Sequence, residues 1–251
     1  MNGAVTTGDE LLVPGPAVRR EYLKLPGDLA HLTGSFGITL PPQLHRHAAA
    51  LAFSIECTDR LLDAIPQAQR RARFSADVVS CLRGEKFSNE DITPELAGWL
   101  ARLSEVAERH GVSVRFREII RELLSNSEEM RTTRNHARFV DCAVREGRWM
   151  VELLLLLLAK VSSPQFDSFM RQLSEPANLA DKLRDARRDF LRGEIAVRPT
   201  VSFRARLLCE MLWRVVRLVR VSGVNGRLVV WGVHSLFIEL IWFRFSTSHS
   251  R

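Results

Sequence analysis

The sequence predicts an all-α protein. Apolar residues recur at intervals of three and four through most of its 251 residues, as in the stretch from Leu100 to Ala107, and strand-type alternation is scarce. A chain of this length can bury a substantial core as one domain, and no change in composition forces a second. We therefore expect a helical domain over residues 26–246. Residues 1–25 contain several Gly and Pro residues, which predicts a loose N-terminal leader.

Capping residues and prolines predict where the helices begin and end. The first long helix is expected over residues 42–65, between Pro41 and Pro66, because proline marks helix boundaries. Ser and Thr cap helix N-termini, and Pro suits the first helical turn. By these rules further helices are expected to start at Ser88, Thr93-Pro94 and Ser163-Pro164.

Two apolar stretches are too short or too interrupted to cross a membrane. Residues 153–158 are all leucine, but Glu152 and Lys160 bound the region well short of the roughly 20 apolar residues of a membrane span. They are expected to form a buried core helix. Residues 228–245 are more apolar, yet His234, Glu239 and Arg244 interrupt them. An amphipathic packing helix or a helix on a membrane surface is therefore expected there.

The basic charge leaves several classes of partner open. A net charge of +7 and a pI near 9.9 suit nucleic acid, an anionic membrane or a phosphorylated small molecule. Nucleic acid is not expected, because no helix-turn-helix, zinc-finger or RNA-binding signature occurs and the arginines are spread along amphipathic helices. A helical stripe of Arg214, Arg217 and Arg220 suits diphosphate, anionic lipid or plain solvation equally well.

Cysteine usage and the N-terminus indicate the compartment. The four cysteines are widely spaced without a Cys-x-x-Cys pair, which predicts neither a structural zinc site nor a disulfide framework. The first ten residues lack a basic region followed by an apolar stretch, so no secretory signal is visible. We expect a cytoplasmic protein, with peripheral membrane contact left open.

Two carboxylate ladders carry the strongest functional signal. Asp59 and Asp63 lie near the N-terminus, and Asp181, Asp185 and Asp189 follow about 120 residues later. Residues four apart share a helix face, so each set is expected to form one acidic stripe. Magnesium prefers oxygen ligands and is often held by carboxylates together with substrate phosphates, so two facing ladders would suit a diphosphate site. Aspartates mixed with Lys and Arg are also typical of a solvated, ion-paired helix.

The segments around the first ladder resemble the opening of the squalene and phytoene synthase family. In this family a Ser-Phe and Leu-Pro segment leads into a helix that ends in Asp-x-x-x-Asp. Here Ser35-Phe36 and Leu40-Pro41 precede the helix that contains Asp59-Arg-Leu-Leu-Asp63.

The second ladder resembles the same family more closely. The segment from Arg184 to Ile195, Arg-Asp-Ala-Arg-Arg-Asp-Phe-Leu-Arg-Gly-Glu-Ile, is similar to the family pattern Arg-Asp-x-x-Glu-Asp-x-x-Arg-Gly-Arg-Ile. The tail after Ala205, with Gly226-Arg227 and the segment around Phe237, is similar to the family's two closing helices. The resemblance covers about residues 30–245, and the two acidic segments are its specific part.

The resemblance implies a single-domain, isoprenoid-synthase-like helical bundle around an apolar cavity. It also implies a magnesium-dependent prenyltransferase or terpenoid synthase that acts on prenyl diphosphates. Magnesium would neutralise the leaving diphosphate while the cavity shields the carbocation from water. The implied magnesium ligands, which are also the catalytic residues, are Asp59, Asp63, Asp185 and Asp189. The implied diphosphate contacts are Ser35, Arg184 and Asp181. NADPH use, prenyl chain length and oligomeric state stay open.

Several departures from the family pattern favour a different function. Glu56 stands where the family usually has Arg, Ala52 stands where it has Tyr, and Arg188 replaces a Glu beside the implied metal ligands. A positive charge at Arg188 competes with magnesium for the same carboxylates. The family's central tyrosine-rich segment is also absent, and the only tyrosine is Tyr22. The alternative is a catalytically silent member of the fold that binds lipid or acts as an assembly factor.

Overall fold

The computed structural model describes residues 25–85 and 90–221, in which all regular structure is helical. This confirms the all-α prediction. The helices of these residues are α1 Leu25–Ser35, α2 Pro42–Ala64, α3 Ala68–Cys81, α4 Pro94–Arg109, α5 Ser113–Thr132, α6 His136–Leu158, α7 Pro164–Arg192 and α8 Val201–Val221. No helix in this set is long and apolar enough to span a bilayer.

Three expectations from the sequence lie outside the described residues. They are the leader, apart from Leu25 at the start of α1, the helix start at Ser88 and the apolar stretch 228–245. The described chain forms two compact units. The first contains most of α1, all of α2 and α3 and most of α4, and the second contains the ends of α1 and α4 together with α5 to α8.

Local capping determines several helix ends in the first unit. Helix α2 begins at Pro42 and stops at Ala64, within one residue of the expected end. Helix α4 begins at Pro94, where the Thr93 hydroxyl accepts a hydrogen bond from the amide of Leu96 at 3.2 Å. The core of this unit includes the rings of Phe53 and Trp99, whose centroids are 5.9 Å apart. Its helix boundaries therefore follow signals that are readable in the sequence.

The second unit is built by consecutive packing of α5 on α6, α6 on α7 and α7 on α8. The side chain of Asn135 caps α6, and Phe139 of α6 packs edge-on against Phe203 of α8 with centroids 5.3 Å apart. Four of the six leucines in 153–158 are buried, which confirms the expected core helix. The helices that surround the second ladder are thus held by a continuous apolar core.

Helix α7 is longer than the sequence suggests. It runs from Pro164, capped by Ser163, to Arg192, where Gly193 adopts a φ of 77° that favours glycine. From the sequence, the Ser163-Pro164 turn precedes a segment over residues 166–173 and the second ladder is expected to be helical, without a prediction that one helix joins them. Pro176 lies between the two. Proline removes one backbone hydrogen bond. Packing of α6 and α8 against α7 supports a continuous helix through Pro176.

Helices α6 and α7 approach each other closely at Gly147. A Cβ atom at this position would lie 2.6 Å from the carbonyl oxygen of Ser174 and 3.0 Å from the Cβ of Asn178. Atoms of real side chains do not come so close to a backbone oxygen. Gly147 therefore sets the distance between the two helices beside the second ladder.

The cysteines give a first test of the fold. Cys57, Cys81 and Cys142 are buried, and burial raises the pKa of all three thiols, that of Cys81 to about 11. Cys209 is exposed on α8. We expect a thiol reagent to modify only Cys209 rapidly in the folded protein and all cysteines after denaturation, because the thiolate is the reactive form. Cys209→Ser should remove the rapid phase, and rapid modification of a second cysteine would contradict the packing.

Candidate functional site

The first ladder occupies the last two turns of α2. Asp59 is exposed and Asp63 is partly exposed, whereas Cys57 and Leu62 on the other side of the helix are buried. Glu56, which replaces the family's arginine, is almost completely buried. Asp59 and Asp63 therefore lie four residues apart on one helix, and neither is buried.

The second ladder forms a stripe on α7 whose members differ in burial. The side chains of Asp181, Asp185 and Asp189 are 47%, 6% and 16% exposed. Asp185 is therefore the buried centre of the stripe, and Asp181 is its open end. A carboxylate as buried as that of Asp185 requires charged or hydrogen-bonding partners.

Two arginines of the same helix supply those partners. Arg184 donates to both carboxylate oxygens of Asp185, at 3.1 Å from Nε and 3.0 Å from Nη2, and it also pairs with Asp181. Arg188 contacts Oδ2 of Asp185 at 3.0 Å and Oδ1 of Asp189 at 3.2 Å. Every aspartate of the second ladder is therefore in contact with a guanidinium group.

The pKa of Asp189 reflects opposing effects. Burial raises this pKa and the neighbouring Asp185 carboxylate raises it further, whereas Arg188 and Lys182 lower it. Arg188 thus favours the ionised form of a carboxylate that burial disfavours. Without the charge of Arg188, another cation would be needed to stabilise the ionised form of Asp189.

Helix α6 contributes a further carboxylate. Glu146 Oε2 accepts hydrogen bonds from Nδ2 of Asn178 and Nζ of Lys182, each at 2.8 Å. Asn178 Nδ2 also donates to the carbonyl of Ala143 at 2.6 Å. Glu146 could not be identified from the sequence, because one glutamate in an amphipathic helix has no diagnostic spacing. It joins the site only through the packing of α6 on α7.

We call this group the α7 charge cluster. Its four carboxylates are matched by three cations, which leaves one net negative charge. Carboxylate oxygens are the donors that magnesium prefers, and guanidinium groups suit phosphate oxygens. The members of the cluster are Glu146, Asp181, Lys182, Arg184, Asp185, Arg188 and Asp189.

Guanidinium groups contact the carboxylate oxygens of the α7 charge cluster that a magnesium ion would use. Within residues 25–85 and 90–221, no group of three or more His, Cys, Asp and Glu residues is placed to hold a metal ion. The donor type fits magnesium, but Arg184 and Arg188 already contact the carboxylate oxygens. Magnesium at Asp185 and Asp189 would need further oxygen ligands, and the arginines would have to move to other anions.

Ser35 lies near the N-terminal part of α7, away from the α7 charge cluster. The neighbouring Phe36 packs on Phe166 and Phe169, with ring centroids 5.5 and 5.3 Å apart. Phe169 precedes Asp185 by about 24 Å along the helix axis, at 1.5 Å per residue. The structure brings Asp181, Arg184, Asp185 and Asp189 together, whereas Ser35 lies beside the first two turns of α7.

Comparisons with known proteins do not place the chain in a family. No family model, curated protein or solved structure matches it.

Proposed function

We propose that this chain acts on prenyl diphosphates with magnesium, as squalene and phytoene synthases do. The observation that supports the proposal is the α7 charge cluster, in which aspartates spaced four residues apart lie beside Arg184 and Arg188. Such a surface offers oxygen ligands for a cation and guanidinium donors for a diphosphate. Both are needed to stabilise a leaving diphosphate.

The proposed roles assume that Arg184 exchanges its aspartate partners for the diphosphate. A diphosphate carries more negative charge than a single aspartate, so Arg184 can leave Asp181 and Asp185 to donate to phosphate oxygens. The carboxylates released in this way become available to magnesium. We assign magnesium binding to Asp59, Asp63, Asp185 and Asp189, and diphosphate binding to Arg184, with Asp181 and Ser35 as further contacts. Magnesium would supply the charge that stabilises the departing diphosphate.

One contact favours the second candidate, a catalytically silent protein that binds lipid or assists assembly. Arg188 contacts both Asp185 and Asp189, the two proposed magnesium ligands of α7. The guanidinium group of Arg188 cannot lose its charge in a protein, so the pairing lasts as long as the two aspartates are ionised. A fold can persist after its catalytic site has been neutralised in this way.

Product analysis separates the two candidates. The purified chain is incubated in turn with geranyl, farnesyl and geranylgeranyl diphosphate, with magnesium or EDTA, and with or without NADPH. The proposal predicts a hydrocarbon, alcohol or coupled prenyl product that requires magnesium and identifies the preferred chain length. Folded protein that forms no product from any of these substrates would contradict the enzymatic function.

Arg188→Glu tests the role of the arginine directly. This substitution places the family's glutamate between Asp185 and Asp189, and the reversal adds two units of negative charge to the α7 charge cluster. If the chain is a silent protein because of Arg188, the variant should bind magnesium more tightly than the wild-type chain, as measured by calorimetry. Unchanged magnesium affinity would mean that Arg188 does not block these carboxylates.

A further inference from the structure

Helix α8 has an exposed apolar stripe in addition to its core face. Phe203, Leu207, Met211 and Leu218 are buried in the second unit. A second set of apolar side chains, between 40% and 86% exposed, lies on another side of the helix. The spacings of three and four along most of this set place it on one face. The exposed stripe consists of Val201, Leu208, Leu212, Val216 and Val219.

Exposed arginines border the stripe. At 100° per residue, Arg206, Arg217 and Arg220 lie along one edge and Arg204 lies along the other. Trp213 is 57% exposed on the same side as Arg217, whose guanidinium is 5.9 Å from its ring centroid. A helix with an apolar face, basic edges and an exposed tryptophan is typical of proteins that lie in a membrane interface.

Arg214 does not belong to this surface, which corrects the stripe expected from the sequence. Its side chain is 15% exposed, and its guanidinium pairs with Glu175 at 2.8 Å and with Glu210. Arg214 therefore links α8 to α7 through its salt bridge with Glu175, whereas Arg217 and Arg220 are exposed. Of the three arginines in the predicted stripe, two can meet an external anion.

A basic groove adjoins the first turn of α8. It has a volume of about 340 Å³, and its lining includes Arg187, Arg198 and Arg204 together with the apolar side chains of Phe190 and Leu191. In the described part of the chain none of these arginines has a carboxylate partner. Like charges that converge without partners repel each other, so an anion in the groove would relieve the repulsion.

We propose that the outer face of α8 docks on an anionic lipid bilayer and that the groove binds a lipid phosphate. The apolar stripe would enter the interface between headgroups and acyl chains, and the bordering arginines would contact lipid phosphates. The groove offers the same combination, because Leu191 in its lining is apolar and the arginines around it are cationic. This role is independent of the function of the α7 charge cluster.

Charge complementarity favours a bilayer over two other occupants. A second copy of this face, packed across a twofold axis, would bring arginines against arginines. Residues 228–245 contain a single carboxylate, Glu239, which cannot match the arginines at both edges and in the groove. An anionic bilayer presents a phosphate to every arginine and an apolar layer to the stripe.

Vesicle flotation with the full chain tests the proposal. We expect binding to phosphatidylcholine vesicles that contain about a third phosphatidylglycerol, little binding to pure phosphatidylcholine, and loss of binding in high salt. Arg198→Glu combined with Arg204→Glu should lower the bound fraction, with the partition coefficient falling by about tenfold or more. Leu212→Glu should have a similar effect because it places a charge in the stripe.

Arg121→Glu is the matched control, because Arg121 is an exposed arginine on α5. It should bind vesicles nearly as well as the wild-type chain. Equal binding to both vesicle types, or groove and stripe variants that bind normally, would overturn the proposal. A dimer that Leu212→Glu dissociates, without vesicle binding, would assign the face to a second copy. Protection of the folded chain by inorganic phosphate without vesicle binding would assign the groove to a soluble anion.

Discussion

Asp185→Asn is expected to lower magnesium-dependent turnover of a prenyl diphosphate by about a hundredfold or more, the usual cost of removing a group that stabilises transition-state charge. Asp185 is the buried centre of the second ladder and contacts both Arg184 and Arg188. The amide keeps the shape of the side chain but removes the charge that would hold magnesium. Steady-state kinetics with the substrate identified by product analysis measures the effect.

The matched control for Asp185 is Asp141→Asn, an exposed aspartate on α6 outside the α7 charge cluster. It should leave turnover nearly unchanged.

Because Arg184 and Arg188 keep their charge, Asp185→Asn should also destabilise the fold by about 1–3 kcal/mol, the range for a lost partner of a buried polar group. Full turnover in folded Asp185→Asn would show that Asp185 does not take part in the reaction. If the chain is catalytically silent, the substitution should lower only the free energy of unfolding.

Gly147→Ala is expected to destabilise the protein by about 1–3 kcal/mol, the usual cost of overpacking. The new Cβ would lie 2.6 Å from the carbonyl oxygen of Ser174, which belongs to the backbone of α7 and cannot rotate away. The helices must then separate, which also lengthens the hydrogen bonds from Asn178 to Ala143 and Glu146. Urea unfolding followed by circular dichroism measures the change in the free energy of unfolding.

Gly98→Ala provides the control for Gly147→Ala. Gly98 lies inside α4, and a Cβ at this position would meet no atom within 4 Å. Alanine should therefore stabilise α4 by about 0.5–1 kcal/mol through its higher helix propensity. If both alanine variants were equally stabilising, the close approach of α6 and α7 would be wrong.

Local signals predicted much of the fold. The starts of α2, α4 and α7 follow from Pro42, Thr93-Pro94 and Ser163-Pro164, because capping depends on residues next to each other in sequence. The continuity of α7 through Pro176 could not be predicted in this way. It depends on support from α6 and α8, whose positions are tertiary information.

The candidate site was predictable to a similar degree. Four-residue spacing identified the acidic stripe of Asp181, Asp185 and Asp189, since helical periodicity alone places them together. The sequence also indicated ion pairing along this helix and a competing charge at Arg188, but it did not predict the individual contacts of Arg184 and Arg188 or the participation of Glu146. Side-chain rotamers and the α6–α7 approach at Gly147 determine those contacts.

The most direct test is calorimetric binding of farnesyl thiolodiphosphate, an analogue whose allylic bond ionises slowly. We predict saturable binding that requires magnesium, disappears in EDTA and weakens by about tenfold or more in Asp185→Asn, as expected when a charged ligand group is lost. Binding that is the same in EDTA and unaffected by Asp185→Asn, or no binding at all, would contradict the assignment of the α7 charge cluster to magnesium and diphosphate.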